Sequence, residues 1–100
     1  MKFWIDDVRP APYGYRWVKS VNEAKKLLSS EFYRKYVDLI DIDHDAGEYV
    51  KDGGDYIKLL DWMETVGYTP DAIHIHSMNS VGVENMRRII HKNGWREVWN

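Results

Sequence analysis

The 100-residue chain contains no cysteine, which excludes a disulfide framework, a thiolate metal site and a cysteine nucleophile. It has no run approaching the roughly 20 apolar residues that cross a bilayer. Its first residues, Met1-Lys2-Phe3-Trp4-Ile5-Asp6, turn acidic too early for a secretory leader. A reducing, cytoplasmic setting and no membrane partner are the expectation. Charge of one sign is equally scarce, since 14 basic and 16 acidic side chains leave a net −2. Such a balance gives no global field to gather nucleic acid, so no extended nucleic-acid-binding surface is expected, and an anionic ligand must be met by local groups or a bound cation. Repeats and low-complexity segments are absent, and only three prolines occur, two of them close together at Pro10 and Pro12. What is present is 44% hydrophobic and 14% aromatic content, ample for one core, so residues 1–100 read as one domain. Composition sets no oligomeric state.

The informative stretch is Asp38-Leu39-Ile40-Asp41-Ile42-Asp43-His44-Asp45-Ala46-Gly47. It starts as a buried strand, yet Asp41, Asp43 and Asp45 recur at every second position, and in an extended chain they leave by one face. Like charges so placed repel. A hard divalent cation such as Mg²⁺ or Mn²⁺ takes carboxylate oxygens and offsets that repulsion, which makes a metal site the leading expectation over a solvated acidic loop. A second acidic pair, Asp6-Asp7, ends the apolar run Phe3-Trp4-Ile5. If the two strands are parallel neighbours, both clusters meet at the carboxyl edge of the sheet, where α/β folds bind ligands. Arg9 follows in a loop stiffened by Pro10 and Pro12, where it can reach a phosphate.

Further elements follow in order. Arg16–Lys19 reads as a strand, and Ser20-Val21-Asn22-Glu23 as a capping box opening one helix with Ala24, Leu27, Leu28 and Phe32 inward. After the acidic strand, Gly53-Gly54-Asp55 opens a second helix with Tyr56, Leu59, Leu60 and Met63 inward, stopped by Gly67. Residues 70–77 form the next strand. His74 and His76 share one of its faces; His74 reads as a hydrogen-bonded core residue lying deeper than His76, which stands at the open end. Ser77-Met78-Asn79-Ser80 supplies short polar groups before a third helix, from about Val81 to Asn93, with Val83, Met86, Ile89 and Ile90 inward. Trp95–Trp99 alternates as a last strand. The alternation predicts a parallel sheet with right-handed crossovers.

This order resembles the receiver domain of bacterial response regulators, a flavodoxin-like three-layer α/β fold. The resemblance implies a five-stranded parallel sheet in the order 2-1-3-4-5, with the first and last helices of a typical receiver absent here. Asp6-Asp7 match its metal-binding pair, Asp43 its phosphoacceptor and Ser77 its small hydroxyl residue, whereas the receiver lysine has no counterpart among residues 96–100. More specifically, Trp4-Ile5-Asp6-Asp7-Val8-Arg9-Pro10, Asp43-His44-Asp45-Ala46-Gly47 and His76-Ser77-Met78-Asn79-Ser80-Val81-Gly82 resemble the cyclic-phosphate processing receiver domains. Ser80 stands there in place of a proline and Ala46 in place of a commoner leucine.

That resemblance implies a phosphoesterase acting on cyclic phosphates of nucleotides or RNA ends. On this reading Asp6, Asp7 and Asp43, with Asp45 through water, hold Mg²⁺ or Mn²⁺, and Arg9 neutralises phosphate charge. His44 or His76 moves the proton, and Asn79 and Ser77 hold phosphoryl oxygens. No base-stacking role is assigned to Tyr13, Tyr15 or Tyr49. The alternative is a non-enzymatic metal-binding, signalling or adaptor module, in which Asp43 is phosphorylated or the metal only orders a partner surface.

Overall fold

The computed structural model describes residues 1–99. Strands β1 (Lys2–Ile5), β2 (Tyr15–Val18), β3 (Leu39–Ile42) and β4 (Ile73–Ile75) form one parallel sheet in the order β2-β1-β3-β4. Side chains alternate across it. Phe3, Ile5, Val18, Ile40, Ile42 and Ile73 point to one face and are fully buried. Helices α1 (Val21–Leu28), α3 (Ile57–Val66) and α4 (Ser80–Lys92) pack on that face, sharing a single core with it through Ala24, Leu28, Leu59, Leu60, Met63, Met86 and Ile90. Each fully buried aliphatic side chain contributes about 1.5–3 kcal/mol toward offsetting the entropy of ordering the chain. The opposite face carries Trp4, Trp17, Asp41 and His74, aligned in one register row for the first three strands and β4.

Several expectations are corrected. The sheet has four strands rather than five. Trp95 buries itself in the core and Glu97 is drawn toward α4 by Arg87, so residues 95–99 touch β4 only through one parallel bridge, Ile73 to Glu97. Helices α1, α3 and α4 share one core on a single face of the sheet, so the fold has two layers where three were expected. The connection from β1 to β2 is the expected loop without a helix. Its backbone accepts hydrogen bonds from both exposed-face indoles, Trp4 Nε1 to the Arg9 carbonyl and Trp17 Nε1 to that of Asp6, each at 2.8 Å. The loop therefore lies on the face that has no helices.

The helix opened by the Ser20 capping box ends early. Ser20 accepts from the Glu23 amide at 3.0 Å and Glu23 reaches back to the Lys19 amide at 2.9 Å, as expected. Ser29 then donates its hydroxyl to the Lys25 carbonyl at 2.6 Å, Ser30 turns extended, and a separate α2 (Glu31–Tyr36) begins. This break leaves Phe32 exposed instead of in the core. Residues Gly47–Asp52 form a 3₁₀ helix that periodicity did not predict.

The ladder extends one residue beyond each strand at the site edge. The Asp43 amide donates to the Ile5 carbonyl at 2.9 Å and the His76 amide to that of Ile42 at 3.0 Å. Asp6, Asp43 and His76 thus lie side by side at the carboxyl ends of β1, β3 and β4.

Candidate active site

Asp6 is fully buried, with protein partners at both carboxylate oxygens. Oδ1 accepts the backbone N–H groups of Val8 and Arg9, both at 3.0 Å, while Oδ2 faces His76 Nε2 at 2.9 Å and Arg9 Nε at 3.4 Å. Burial raises this carboxyl, but the Arg9 amide, the His76 ring and the Val8 amide outweigh burial and hold it below the ordinary range. The Arg9 guanidinium also stands 3.6 Å from Asp43 Oδ2. Asp7 completes the acidic cleft. Its carboxylate packs against Gly47, where φ is +55° and a Cβ would collide with it, so only glycine lets the loop after β3 close so tightly. Burial, then contact with Asp6 and the charges of Asp6 and Asp43, push the Asp7 carboxyl above the ordinary range.

Behind the acids runs a chain of buried polar groups. Asp41 Oδ1 faces His74 Nδ1 at 2.8 Å and His76 Nδ1 at 2.7 Å. Because His76 Nε2 already meets Asp6, its ring bridges two carboxylates. Trp4 lies flat on that ring, centroids 3.8 Å apart and planes 1° from parallel, and seals it. The side chain of His76 is 8% exposed and that of His74 18%, so the expected order of depth is reversed.

A second cluster lies beside the cleft. His44 Nδ1 pairs with Asp45 Oδ1 at 2.7 Å, and Asn79 Nδ2 reaches the same oxygen at 3.3 Å. Asn79 Oδ1 caps α4 by accepting the Gly82 amide at 2.9 Å, and the Asn79 backbone N–H donates to Ser77 Oγ at 3.1 Å. The His44 ring rests on Gly82, where a Cβ would stand 2.5 Å from ring carbons. Asp45 is held below the ordinary range by His44, with Asn79 adding to the effect and burial opposing it. Nothing among the described residues engages His44 Nε2.

A family model described as Cyclic-phosphate processing Receiver domain matches residues 1–92. The chain belongs to this family. No curated protein and no solved structure matches it. In this cyclic-phosphate processing receiver domain, Asp6, Asp7, Asp43, Arg9 and His76 come together in one cleft, and His44, Asp45, Asn79 and Ser77 in the adjoining cluster. Asp45 does not join the other acids: its side chain is 61% exposed and turned to His44, whereas those of Asp6 and Asp43 are 0% and 12% exposed. The three alternating aspartates thus go to three places. Only Asp41 lies within the strand, Asp43 stands one residue past its end, and Asp45 follows after the chain has turned.

One residue takes a role other than the expected one, and two contributors were not singled out by the sequence. Asp41 links the two histidines, Trp4 covers His76, and Asp55 Oδ1 accepts the Ala46 amide at 3.0 Å, pinning the loop that carries Asp45. The alternation of acids groups Asp41 with the metal-site residues; the matched phase of Asp41-x-Asp43 and His74-x-His76 is the signal that could have paired it with the histidines. Tyr56 lies in the core as expected and donates its hydroxyl to the Lys19 carbonyl at 2.7 Å. Burial, and then the charges of Asp7, Asp6 and Asp43, push its phenol upward, so it stays neutral under the cleft.

The acid pattern gives a signed prediction. Because folding raises the Asp7 carboxyl, its ionisation costs stability that grows as pH rises from its unfolded value near 3.8 through the folded value. Asp7→Asn is therefore expected to raise the Tm of the metal-free protein at pH 7 by a few degrees. The gain should fade as pH falls below 3.8, where aspartate is neutral in both states. A Tm difference that does not depend on pH would separate Asp7 from this charge cluster.

Proposed function

We propose that the domain opens cyclic phosphates of nucleotides or RNA ends with Mg²⁺ or Mn²⁺. The convergence of Asp6, Asp7 and Asp43 beside Arg9 carries this reading. These are hard oxygen donors, and three carboxylates share the cleft with the single Arg9 guanidinium, so the residues fit a divalent cation held by Asp6, Asp7 and Asp43. His76 offers a nitrogen within 4.8 Å of donor oxygens of Asp6 and Asp43, but a hard cation prefers the carboxylate oxygens to an imidazole. Bound there, such a cation supplies a Lewis acid for a phosphoryl oxygen.

The remaining steps fall to the chain itself. Arg9, 46% exposed, extends its guanidinium over the cleft and neutralises phosphate charge. Water adds to phosphorus, one ring P–O bond breaks, and the products are a phosphomonoester and a free hydroxyl. His44 moves the proton through its free Nε2, with Nδ1 oriented by Asp45 in the manner of a histidine–carboxylate pair. Asn79 steadies that pair, and the Ser77 hydroxyl has its hydrogen available for a phosphoryl oxygen.

The test is incubation with a nucleoside 2′,3′-cyclic phosphate and Mg²⁺, followed by ³¹P NMR for the monoester. Saturating Mg²⁺ is expected to raise Tm, since a ligand at 100 times its Kd adds about 2.7 kcal/mol to the native state. Asp43→Asn should remove both the thermal response and the turnover. A small phosphodonor with Mg²⁺ should leave no lasting adduct by intact mass. A stable phosphate on Asp43 with no ring opening would replace this reading with a phosphorylation switch.

A further inference from the structure

We infer that the groove bordering Ser77 receives the nucleoside of the cyclic-phosphate substrate, an assignment that rests on the phosphate reading above. The groove is open to solvent, spans about 490 Å³ and is lined by Ser77, Met78, Ser80, Val81, Glu84 and Arg87 among others. Its volume lies within the roughly 300–1,000 Å³ of small-molecule sites. Its position is the first argument. Ser77 belongs to both places: its hydroxyl lines the groove and accepts the Asn79 amide, and Asn79 in turn touches Asp45 in the proton-transfer cluster. Ser77 also directly follows His76, whose Nε2 meets Asp6 at 2.9 Å, so the β4–α4 loop joins the groove to the acidic cleft.

Its chemistry is the second argument. Met78 on that loop and Val81 in the first turn of α4 stand 90% and 69% exposed, two large apolar side chains offered to solvent beside the site. Isolated exposed apolar residues are ordinary, but a pair flanking a cavity next to reactive groups forms an apolar wall for a planar ring. Arg87 is already fixed. Its Nε donates to Glu97 Oε2 at 2.8 Å and its guanidinium lies 4.1 Å from the centre of the Trp99 ring, so stacking a base on it costs little further ordering. The Ser77 and Ser80 hydroxyls suit ribose, and the Glu84 carboxylate accepts from an exocyclic amine.

The experiment compares adenosine 2′-monophosphate, adenosine and inorganic phosphate, each with Mg²⁺, by calorimetry and amide NMR. The nucleotide is expected to bind roughly tenfold or more tightly than inorganic phosphate, the gain expected of one stacked base. It should shift the amides from Ser77 to Val83. The double variant Met78→Ser, Val81→Ser changes only exposed side chains, so it should keep the wild-type Tm while bringing the nucleotide-to-phosphate affinity ratio close to one. A ratio already near one in the wild type, a ratio that the double variant leaves intact, or amide shifts centred elsewhere overturns the assignment. If inorganic phosphate elicits no response while adenosine alone shifts Ser77 to Val83, the phosphate reading falls and the groove stands.

Discussion

His44→Ala is expected to slow opening of a nucleoside 2′,3′-cyclic phosphate by roughly 10² to 10⁴-fold, the usual contribution of a positioned acid or base. The choice of His44 over His76 comes from the bonding of the two rings. His76 meets Asp6 and Asp41 through its two nitrogens and lies sealed under Trp4. It has no nitrogen left for a substrate. His44 commits only Nδ1, to Asp45, and its side chain retains 14% exposure. Steady-state kinetics with Mg²⁺ present, together with the Mg²⁺-dependent Tm, separates the roles: His44→Ala should lose kcat yet keep the thermal response, because it is not among the proposed ligands. Gly82→Ala should act in the same direction, since the added methyl must displace the His44 ring. Wild-type kcat in His44→Ala would return the proton transfer to another group.

The second large effect is on stability. Asp41→Leu should cost about 3–5 kcal/mol, as expected when one partner of a buried charged network is removed and the other stays. The Asp41 side chain is 3% exposed and serves both His74 and His76, so leucine leaves two ring nitrogens facing hydrocarbon on the sheet. With domain stabilities of about 5–15 kcal/mol, that is a large fraction of the whole. Asp41→Asn keeps an acceptor oxygen and should cost less. Urea unfolding monitored by tryptophan fluorescence reads both, and a loss below about 1 kcal/mol in Asp41→Leu would show that the histidines find other partners. His76→Ala belongs with this group: removing it opens a cavity under Trp4 and strips Asp6 of one of its partners, so stability falls together with any turnover.

Much of this molecule is written locally. The apolar run Phe3–Ile5 and the period-two runs at Leu39–Ile42 and Ile73–Ile75 fix strands, the Ser20–Glu23 box fixes the start of a helix, and Gly67 ends another in the left-handed conformation. The acidic pair after β1 and the acids after β3 follow from the same runs, because a strand that is apolar to its last residue places the next residue at the sheet edge. These features depend on neighbours in sequence, and so the sequence by itself determined a parallel α/β fold with carboxylates gathered at the strand ends.

Tertiary structure decided the rest, for reasons that lie outside any local window. Whether Trp95–Trp99 becomes a strand depended on Trp95 finding space in the core and Glu97 finding Arg87. Which aspartate does what depended on where the chain turns after Ile42, which sends Asp41 to the histidines, Asp43 to Arg9 and Asp45 to Asn79. The freedom of His44 Nε2 and the enclosure of His76 are likewise contacts between residues 35 or more apart in the chain. A sequence lists these ionisable groups; only packing assigns each one its partners and its access to solvent.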